Sequence, residues 1–329
     1  QVETLKFAAY ALLFFLTVQT MQGEDMRKLA EILIWFGFLL AIFAMIQDLT
    51  SNGKLYWLRK PQSGGSFFGP YVNRNHYAGL MEMLVPFAIV LAMAPAVSRT
   101  LQALMTFATL TMGGSIFLSR SRGGLMAFAV QLALLTVLYM RDRKSWRLAI
   151  SVAVLGALSL GFVLYLDRGQ MVGRLETLKE IQLDGPEGQR LTIARDGLKM
   201  FAERPWTGWG LGTFPVVYPQ YRSYFTDKFV NQAHNDYLQA LVETGLPGFA
   251  VLLWFLVVLF RSAAKGARKW ATSSRAAVTL AALTGCVGIL VHSFVDFNLR
   301  IPANAALFAV LCALASSPHS QPRRTSNAA

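Results

Sequence analysis

One polar stretch, residues 167–245, interrupts an otherwise apolar chain and contains several arginines and a single histidine. The candidates for chemistry in it are Arg190, Arg195, Arg204, Arg222 and His234. Arginine donates paired hydrogen bonds to phosphate groups and keeps its charge. An imidazole can take a proton from a hydroxyl group near neutral pH. The combination indicates a site that binds a phosphate or pyrophosphate and activates a hydroxyl group.

Two shorter polar segments between apolar runs carry further candidates. One contains Arg74 and His76, and the other contains Arg120 and Arg122 followed directly by two glycines. Glycine permits close approach of the backbone, which favours a binding role for these arginines. The alternative is that Arg120 and Arg122 extend toward lipid headgroups.

His234 also has a structural alternative. It could cap the helix that is predicted to follow it, although Asn235 and Asp236 compete for that position. The residue types alone do not decide between a cap and a proton acceptor.

Two carboxylates fall within or at the edge of apolar runs, where an ionised group is costly and is either functional or paired. They are Glu82 and Asp296, and each could pair with an arginine such as Arg300. His292 is expected to pack within its helix. The two cysteines, Cys286 and Cys312, lie in apolar runs without metal-binding spacing and are expected to be core residues.

The sequence offers no motif for a metal or a nucleotide. The predicted exterior segments contain no Asp-x-Asp pair, no His-Glu-x-x-His and no Cys/His cluster. A P-loop pattern is also absent. We therefore expect no cofactor, and the driving force must come from an activated substrate.

Composition indicates a membrane protein. Hydrophobic residues make up 54% of the chain and charged residues only 15%, outside the range of soluble domains. The formal charge of +13 is spread over short loops between apolar runs, which is the distribution of cytoplasmic loops. Nucleic-acid binding is therefore not expected.

The predicted fold is an all-α, polytopic membrane bundle with a large helical loop. Nine apolar runs approach the length that spans a bilayer. They are Leu5–Met21, Leu29–Gln47, Tyr77–Val97, Leu101–Leu118, Gly124–Met140, Leu148–Leu166, Leu246–Phe260, Ala276–Phe294 and Ile301–Ala315. The predicted units are a bundle of six helices at 1–166, the loop at 167–245, three helices at 246–315 and a disordered cytoplasmic tail at 316–329.

The basic connections at 141–147 and 261–275 place those loops in the cytoplasm. Residues 167–245, 48–76 and 119–122 then face the exterior, as does Gln1, which predicts an odd number of further spans upstream.

Within the loop, apolar residues at helical spacing predict a helix that Pro205 stops. Trp206 and Trp209 suit a membrane–water boundary. A second helix is predicted from Asn231 to Thr244, ended by Gly245.

Four motifs in order resemble the O-antigen ligase/polymerase superfamily and cover about two-thirds of the chain. They are G-P-Y-V-N-R-N-H-Y-A-G at 69–79, S-R-S-R-G at 119–123, Q-R at 189–190 followed by R-P-W-T-G-W-G-L-G-T-F at 204–214, and H-N-D-Y-L-Q-x-L-x-E-x-G at 234–245. The resemblance implies a GT-C-like glycosyltransferase of the bacterial inner membrane with its large loop in the periplasm.

The resemblance also implies roles for individual residues. Arg122 and Arg190 match the arginines that engage the donor pyrophosphate, and His234 matches the loop histidine proposed as base or acceptor-orienting group. The residues expected to contribute to substrate binding are Arg74, His76, Arg120, Arg195, Tyr237 and Glu243.

The implied donor is a glycan on undecaprenyl pyrophosphate, held in the lipid bilayer. The resemblance implies that the glycan is transferred to a hydroxyl acceptor without metal and with inversion at the anomeric carbon. The acceptor could be lipid A core, a growing glycan or a protein hydroxyl. A transporter or flippase of lipid-linked sugars and a non-catalytic scaffold or sensor are the alternatives from other classes. A flippase would be expected to show paired repeats, and the sequence has no internal repeat.

Overall fold

The computed structural model describes residues 2–60, 66–94, 97–143, 161, 186–226 and 229–316. Within these residues the fold is all-helical, as predicted. The helices are α1 (Val2–Thr20), α2 (Glu24–Leu49), α3 (Arg74–Met93), α4 (Arg99–Leu118), α5 (Arg122–Arg143), α6 (Pro186–Glu203), α7 (Phe214–Val217), α8 (Asp236–Gly266), α9 (Ser274–His292) and α10 (Pro302–Ser316).

Seven of the described helices are long and apolar enough to cross a membrane: α1 to α5, α8 and α9. The predicted span at Ile301–Ala315 corresponds to α10, which is shorter, and the predicted span at Leu148–Leu166 lies outside the described residues apart from Gly161. The first part of the large loop and the tail beyond Ser316 also lie outside them. The protein is thus a multi-pass membrane protein.

Helices α3 and α9 form the centre of the bundle and are buried along most of their length. Gly285 of α9 lies so close to α3 that an added Cβ atom would be 2.8 Å from the carbonyl oxygen of Met83. Small residues let membrane helices approach this closely. Cys286 and Cys312 are both buried, with their sulfur atoms 4.0 Å apart, as expected for core residues.

The described part of the large loop before α8 (186–226 and 229–235), which we call the insert, packs against the first turns of α8 around a small set of buried residues. We call this set the insert core. It consists of Ile193, Met200, Phe214, Tyr218, Ala233, Leu238 and Val242. The first insert helix, α6, ends at Glu203 before Pro205, as predicted. Trp206 is exposed, but Trp209 donates from Nε1 to the carbonyl of Met200 at 2.8 Å. Trp209 is partly buried and packs against the insert core, and its position at a membrane boundary stays a prediction.

The second loop helix differs from its prediction at both ends. It begins at Asp236 rather than Asn231, because the Asn235 side chain caps it by accepting from the backbone N–H of Leu238. At Gly245 (φ 65°) the helical geometry is interrupted as predicted, but a helix resumes and continues to Gly266. α8 therefore joins the insert directly to a membrane span.

The glycine-rich turn at 204–214 is attached to this kink through its backbone. Trp209 N–H donates to the carbonyl of Val242 at 3.0 Å, and Gly210 N–H donates to that of Glu243 at 2.9 Å. At Gly208 (φ 63°) an added Cβ atom would be 2.5 Å from the Glu243 carbonyl oxygen. The glycine is therefore needed both for its left-handed conformation and for the close approach.

We expect Gly208→Ala to destabilise the insert by about 2–4 kcal/mol, the sum of left-handed strain and overpacking. Gly53→Ala is the matched control, because Gly53 also has a positive φ (77°) but has no atom within 4 Å of an added Cβ. Its cost should be about 1 kcal/mol, from strain alone. Thermal unfolding of the two purified variants in detergent measures the difference, and equal losses would show that the close approach is unimportant.

Candidate functional site

A buried carboxylate, Asp296, is the centre of a polar cluster at one end of the bundle. It lies in the turn between α9 and α10, residues 293–301, which we call the polar turn. Its side chain is only 1% exposed and accepts hydrogen bonds from the Asn75 amide (2.5 Å) and the Phe297 backbone N–H (2.9 Å). A buried charge is stable only with such partners.

Two histidines face the same oxygen of this carboxylate. His234 Nδ1 lies 3.5 Å from Asp296 Oδ1, and His76 Nε2 lies 3.8 Å from it. The edge-on contacts of both imidazoles with the Phe297 ring fix their planes. The His234 side chain is 28% exposed and that of His76 only 8%, so His234 is the one that a substrate can reach.

Arg190 approaches the second oxygen of the carboxylate from α6. Its Nη2 atom lies 3.9 Å from Asp296 Oδ2, and its Nη1 donates to the carbonyl of Val295 at 3.2 Å. The side chain remains 39% exposed. Guanidinium has five N–H donors, so these two contacts orient the group and leave donors for an anionic ligand.

The surroundings keep Asp296 ionised. Burial opposes ionisation, but the two imidazoles and the charges of His292 and Arg190 outweigh it and hold the pKa of the carboxyl well below its usual range. A carboxylate that stays charged favours a His234 ring orientation with Nδ1 toward it, and it would stabilise a positive charge on that ring.

Three more arginines lie beside this cluster. Arg74 begins α3 next to Asn75, and Arg120 and Arg122 are close enough to act electrostatically on its guanidinium. Like charges held together favour an anionic ligand between them. The N-termini of α3 and α5 add the partial positive charge of their free N–H groups.

The position of Arg122 relative to Arg190 follows from the residue after it. An added Cβ atom at Gly123 would be 2.9 Å from the Val295 side chain, while the Val295 carbonyl accepts the hydrogen bond from Arg190. Arg122 and Arg190 therefore lie next to the same part of the polar turn, although they are far apart in the chain.

Two of the site residues have a strained backbone. Arg120 (φ 55°) and His234 (φ 53°) both adopt the left-handed conformation, which is uncommon for residues other than glycine. Such strain is concentrated at functional sites, where the surrounding structure maintains it. The conformation at His234 turns its side chain toward Asp296 and lets Asn235 cap α8, so the capping alternative for His234 is wrong.

Hydrogen bonds attach the start of α8 to the polar turn. The Asp236 carboxylate accepts from the Ser293 hydroxyl (2.8 Å) and the Leu299 backbone N–H (3.0 Å), and Asn235 donates to the Phe294 carbonyl (3.0 Å). These bonds hold His234 over Asp296. They assign Asp236 a structural role in the site.

The remaining predicted substrate-binding residues lie outside the Asp296 cluster. The Tyr237 hydroxyl donates to the carbonyl of Leu290 at 2.7 Å. Glu243 is buried and pairs with Arg300 at 2.9 Å. Arg195 is exposed on α6. The structure therefore brings together Arg74, His76, Arg120, Arg122, Arg190 and His234, and a substrate role for the other three remains a prediction.

Sequence reasoning did not find the central role of Asp296 or the contributions of Asn75 and Phe297. The available indication was the cost of a carboxylate at the edge of a span, which fits either pairing or function. Asp296 pairs with Arg190 and the two histidines rather than with Arg300. His292 is buried at the end of its helix, as expected, and it also pairs with Glu82, which the sequence did not reveal.

The described residues form no group of three or more histidine, cysteine or carboxylate side chains with metal-binding geometry. The two histidines at Asp296 face a single oxygen atom at ion-pair distances. The arginines of this cluster, Arg74, Arg120, Arg122 and Arg190, supply positive charge for an anionic substrate.

A cavity of about 260 Å³ lies at the opposite ends of the helices. Its walls include Leu91, Ala94, Leu101 and Trp270, and its charged pair, Arg27 and Glu31, is already joined by a hydrogen bond of 2.9 Å. It contains no member of the Asp296 cluster. We therefore assign the candidate site to the surface at the polar turn and not to this cavity.

The amino-acid sequence was also compared with models of protein families. Residues 107–253 match the family model described as O-antigen ligase, which confirms the resemblance based on the motifs. The matched segment contains Arg120, Arg122, Arg190 and His234, whereas Asp296 lies beyond it. No curated protein matches the chain.

Proposed function

Starting from the O-antigen ligase match over residues 107–253, we propose that this protein transfers a glycan from undecaprenyl pyrophosphate to an acceptor hydroxyl. The observation that carries the proposal is that Arg190 and His234 meet at one buried carboxylate, Asp296. A cation for a leaving group and a base for a hydroxyl are the two functions that such a transfer needs.

The donor binds through its pyrophosphate. Arg190, which bonds the Val295 carbonyl, and Arg122, whose neighbour Gly123 lies against the Val295 side chain, donate paired hydrogen bonds to the phosphate oxygens, and Arg74 and Arg120 add positive charge. These contacts strengthen as the bond between the anomeric carbon and the phosphate oxygen breaks and negative charge accumulates on the leaving group.

The acceptor is activated by His234. Because Nδ1 faces Asp296, it is the nitrogen that carries the hydrogen, and Nε2 has the free electron pair. The acceptor hydroxyl gives its proton to Nε2 while its oxygen attacks the anomeric carbon on the face opposite the pyrophosphate. The product has inverted configuration, and the undecaprenyl pyrophosphate leaves with the electron pair of the broken bond.

The reaction is placed on the periplasmic face of the bacterial inner membrane. The basic connections at 141–147 and 261–275 support this orientation through the positive-inside distribution. Glu3 at the start of α1 lies against Gly212 of the insert, which agrees with a first span that begins on the same face. The lipid-linked donor supplies the energy, so the transfer needs neither nucleotide nor metal.

The test is transfer in proteoliposomes that contain the purified protein and a lipid-linked oligosaccharide. We expect a new glycosidic bond and one free undecaprenyl pyrophosphate for each glycan transferred. Lipid A core, a free glycan and a protein with exposed hydroxyls are supplied in separate reactions to identify the acceptor.

Two results of this assay would contradict the proposal. Movement of the donor between leaflets without a new bond would identify a flippase. No bond formation with any of the three acceptor classes, by a protein that binds the donor, would identify a binding protein.

A further inference from the structure

A buried carboxyl–imidazole pair lies beneath the polar turn and is not used by the proposed mechanism. His292 Nδ1 is 2.9 Å from Glu82 Oε1, with side-chain exposures of 1% and 0%. Glu82 belongs to α3 and His292 is the last residue of α9. The pair therefore joins the two central helices at the level where α9 leads into the polar turn.

The first turn of α5 rests directly on this pair. An added Cβ atom at Gly123 would be 2.6 Å from both Cδ2 and Nε2 of the His292 ring. At Gly124 it would be 3.0 Å from Glu82 Oε1 and 2.6 Å from the Ala78 side chain. Two successive glycines are needed for α5 to come this close.

The same pair is connected to the acceptor side of the site. The backbone N–H groups of Val295 and Asp296 both donate to the carbonyl of His292, at 3.0 and 3.2 Å. The His292 ring therefore determines how close α5, which begins at Arg122, comes to α9. The backbone carbonyl of His292 determines the position of Asp296.

We propose that the Glu82–His292 pair is a positioning device that fixes the distance between Arg122 and the Asp296–His234 pair. The inference rests on the proposed function, in which Arg122 binds the donor pyrophosphate. Glu82, His292 and Gly123 touch no substrate and act through the placement of the arginine.

The polar character of the pair fits this role. Apolar side chains of similar size would hold α3, α5 and α9 together at a lower free-energy cost than a buried polar pair in a membrane. A hydrogen bond adds direction, so it fixes the rotation and height of α3 and α9 as well as their separation. Because Gly123 lies against the His292 ring, the position of the ring also determines the position of Arg122, the adjacent residue.

The test compares Gly123→Ala with Gly114→Ala, since an added Cβ atom at Gly114 meets nothing within 4 Å. We expect Gly123→Ala to lower kcat/KM for the lipid-linked donor about 100-fold, as a misplacement of about 1 Å can, without changing KM for the acceptor. Gly114→Ala should match the wild type. Adding His292→Asn to Gly123→Ala should restore the donor kcat/KM, because asparagine can keep the bond to Glu82 but lacks the ring edge that the new methyl group meets.

Glu82→Met tests the pair without a steric clash. It removes the hydrogen bond and makes α3 more apolar, so insertion into the membrane should be preserved. We expect a loss of donor kcat/KM in the same direction as for Gly123→Ala, measured per molecule of inserted protein. A purely structural pair would lower the melting temperature and the yield but leave that value unchanged.

The results separate this inference from the proposed function when Arg122→Ala is measured alongside. If Arg122→Ala lowers donor kcat/KM but Glu82→Met does not, the positioning role is wrong and the donor site stands; this holds even where Gly123→Ala fails to insert. If Arg122→Ala has no effect, the donor assignment fails and the inference fails with it.

Discussion

Arg190→Ala should lower the rate of glycan transfer about 10²–10³-fold, the usual cost of removing one preorganised donor to a developing anion. The guanidinium is fixed by the Val295 carbonyl and by Asp296 while 39% of its side chain stays exposed. It therefore meets the pyrophosphate without having to be ordered first. The loss should appear mainly in kcat, because the interaction strengthens as the leaving group departs.

Arg190→Lys separates charge from geometry. A lysine keeps the positive charge but loses the planar pair of donors, so we expect a rate between those of the wild type and the alanine variant. Arg222→Ala is the matched control, since Arg222 is another insert arginine whose hydrogen bond is to the Thr226 carbonyl. The assay is transfer from lipid-linked donor per molecule of inserted protein, and wild-type kcat in Arg190→Ala would remove this residue from the donor site.

The membrane helices could be predicted from sequence because each one depends on a continuous apolar run. The run at 77–97 corresponds to α3 and that at 101–118 to α4, with small differences at the ends. The ends depend on local hydrogen bonds that composition does not reveal. Asn73 starts α3 by accepting from the Asn75 N–H, so the helix begins before the apolar run and includes Arg74 and His76.

The candidate site was only partly predictable, because its centre is formed by contacts between distant parts of the chain. Asp296 and Asn75 are 221 residues apart and are joined by a hydrogen bond. Residue type suggested Arg190 and His234, since arginine and histidine have characteristic chemistry. A single aspartate at the edge of a span gives no such indication until its partners are known.

The misassigned residues show the same limit at shorter range. A histidine before a helix suggests a cap, but Asn235 has the cap and His234 turns to Asp296. The sequence also did not reveal the partner of His292, because Glu82 lies 210 residues away in the chain. The spacing of residues in one helix predicts which face is buried but not what it meets.

Asp296→Asn should lower the rate of transfer about 10²–10⁴-fold, the range that positioned acid–base catalysis contributes. Asparagine keeps the shape of the side chain but removes the charge that orients His234 and stabilises its imidazolium form. The same change weakens the contact that orients Arg190. Because both halves of the site depend on this carboxylate, we expect the loss to be at least as large as that in His234→Ala.

The stability of the wild type and that of Asp296→Asn should depend differently on pH. The pKa of Asp296 is held well below its usual range in the folded protein. In the unfolded chain the carboxyl has its ordinary pKa of about 3.9. As the pH falls, the unfolded chain therefore binds a proton at this carboxyl before the folded protein does. The resulting stabilisation is complete above that ordinary value and is lost as the pH falls through the lower folded value. The part of the difference in unfolding temperature between wild type and Asp296→Asn that comes from the carboxylate charge should therefore be fully present above about pH 5 and should shrink below about pH 4.

Asp236→Asn is the control that separates catalysis from folding. Asp236 is the other buried carboxylate attached to the polar turn, through Ser293 and Leu299, and it does not contact His234 or Arg190 in the described hydrogen bonds. Because the amide oxygen of asparagine can still accept from Ser293 and Leu299, we expect His234 to stay in place and each inserted molecule to keep most of its transfer rate, with a lower unfolding temperature because the charge-assisted bonds are weakened. Equal losses of rate in Asp236→Asn and Asp296→Asn would mean that the turn needs only to be folded. A loss confined to Asp296→Asn would assign the charge itself to the reaction.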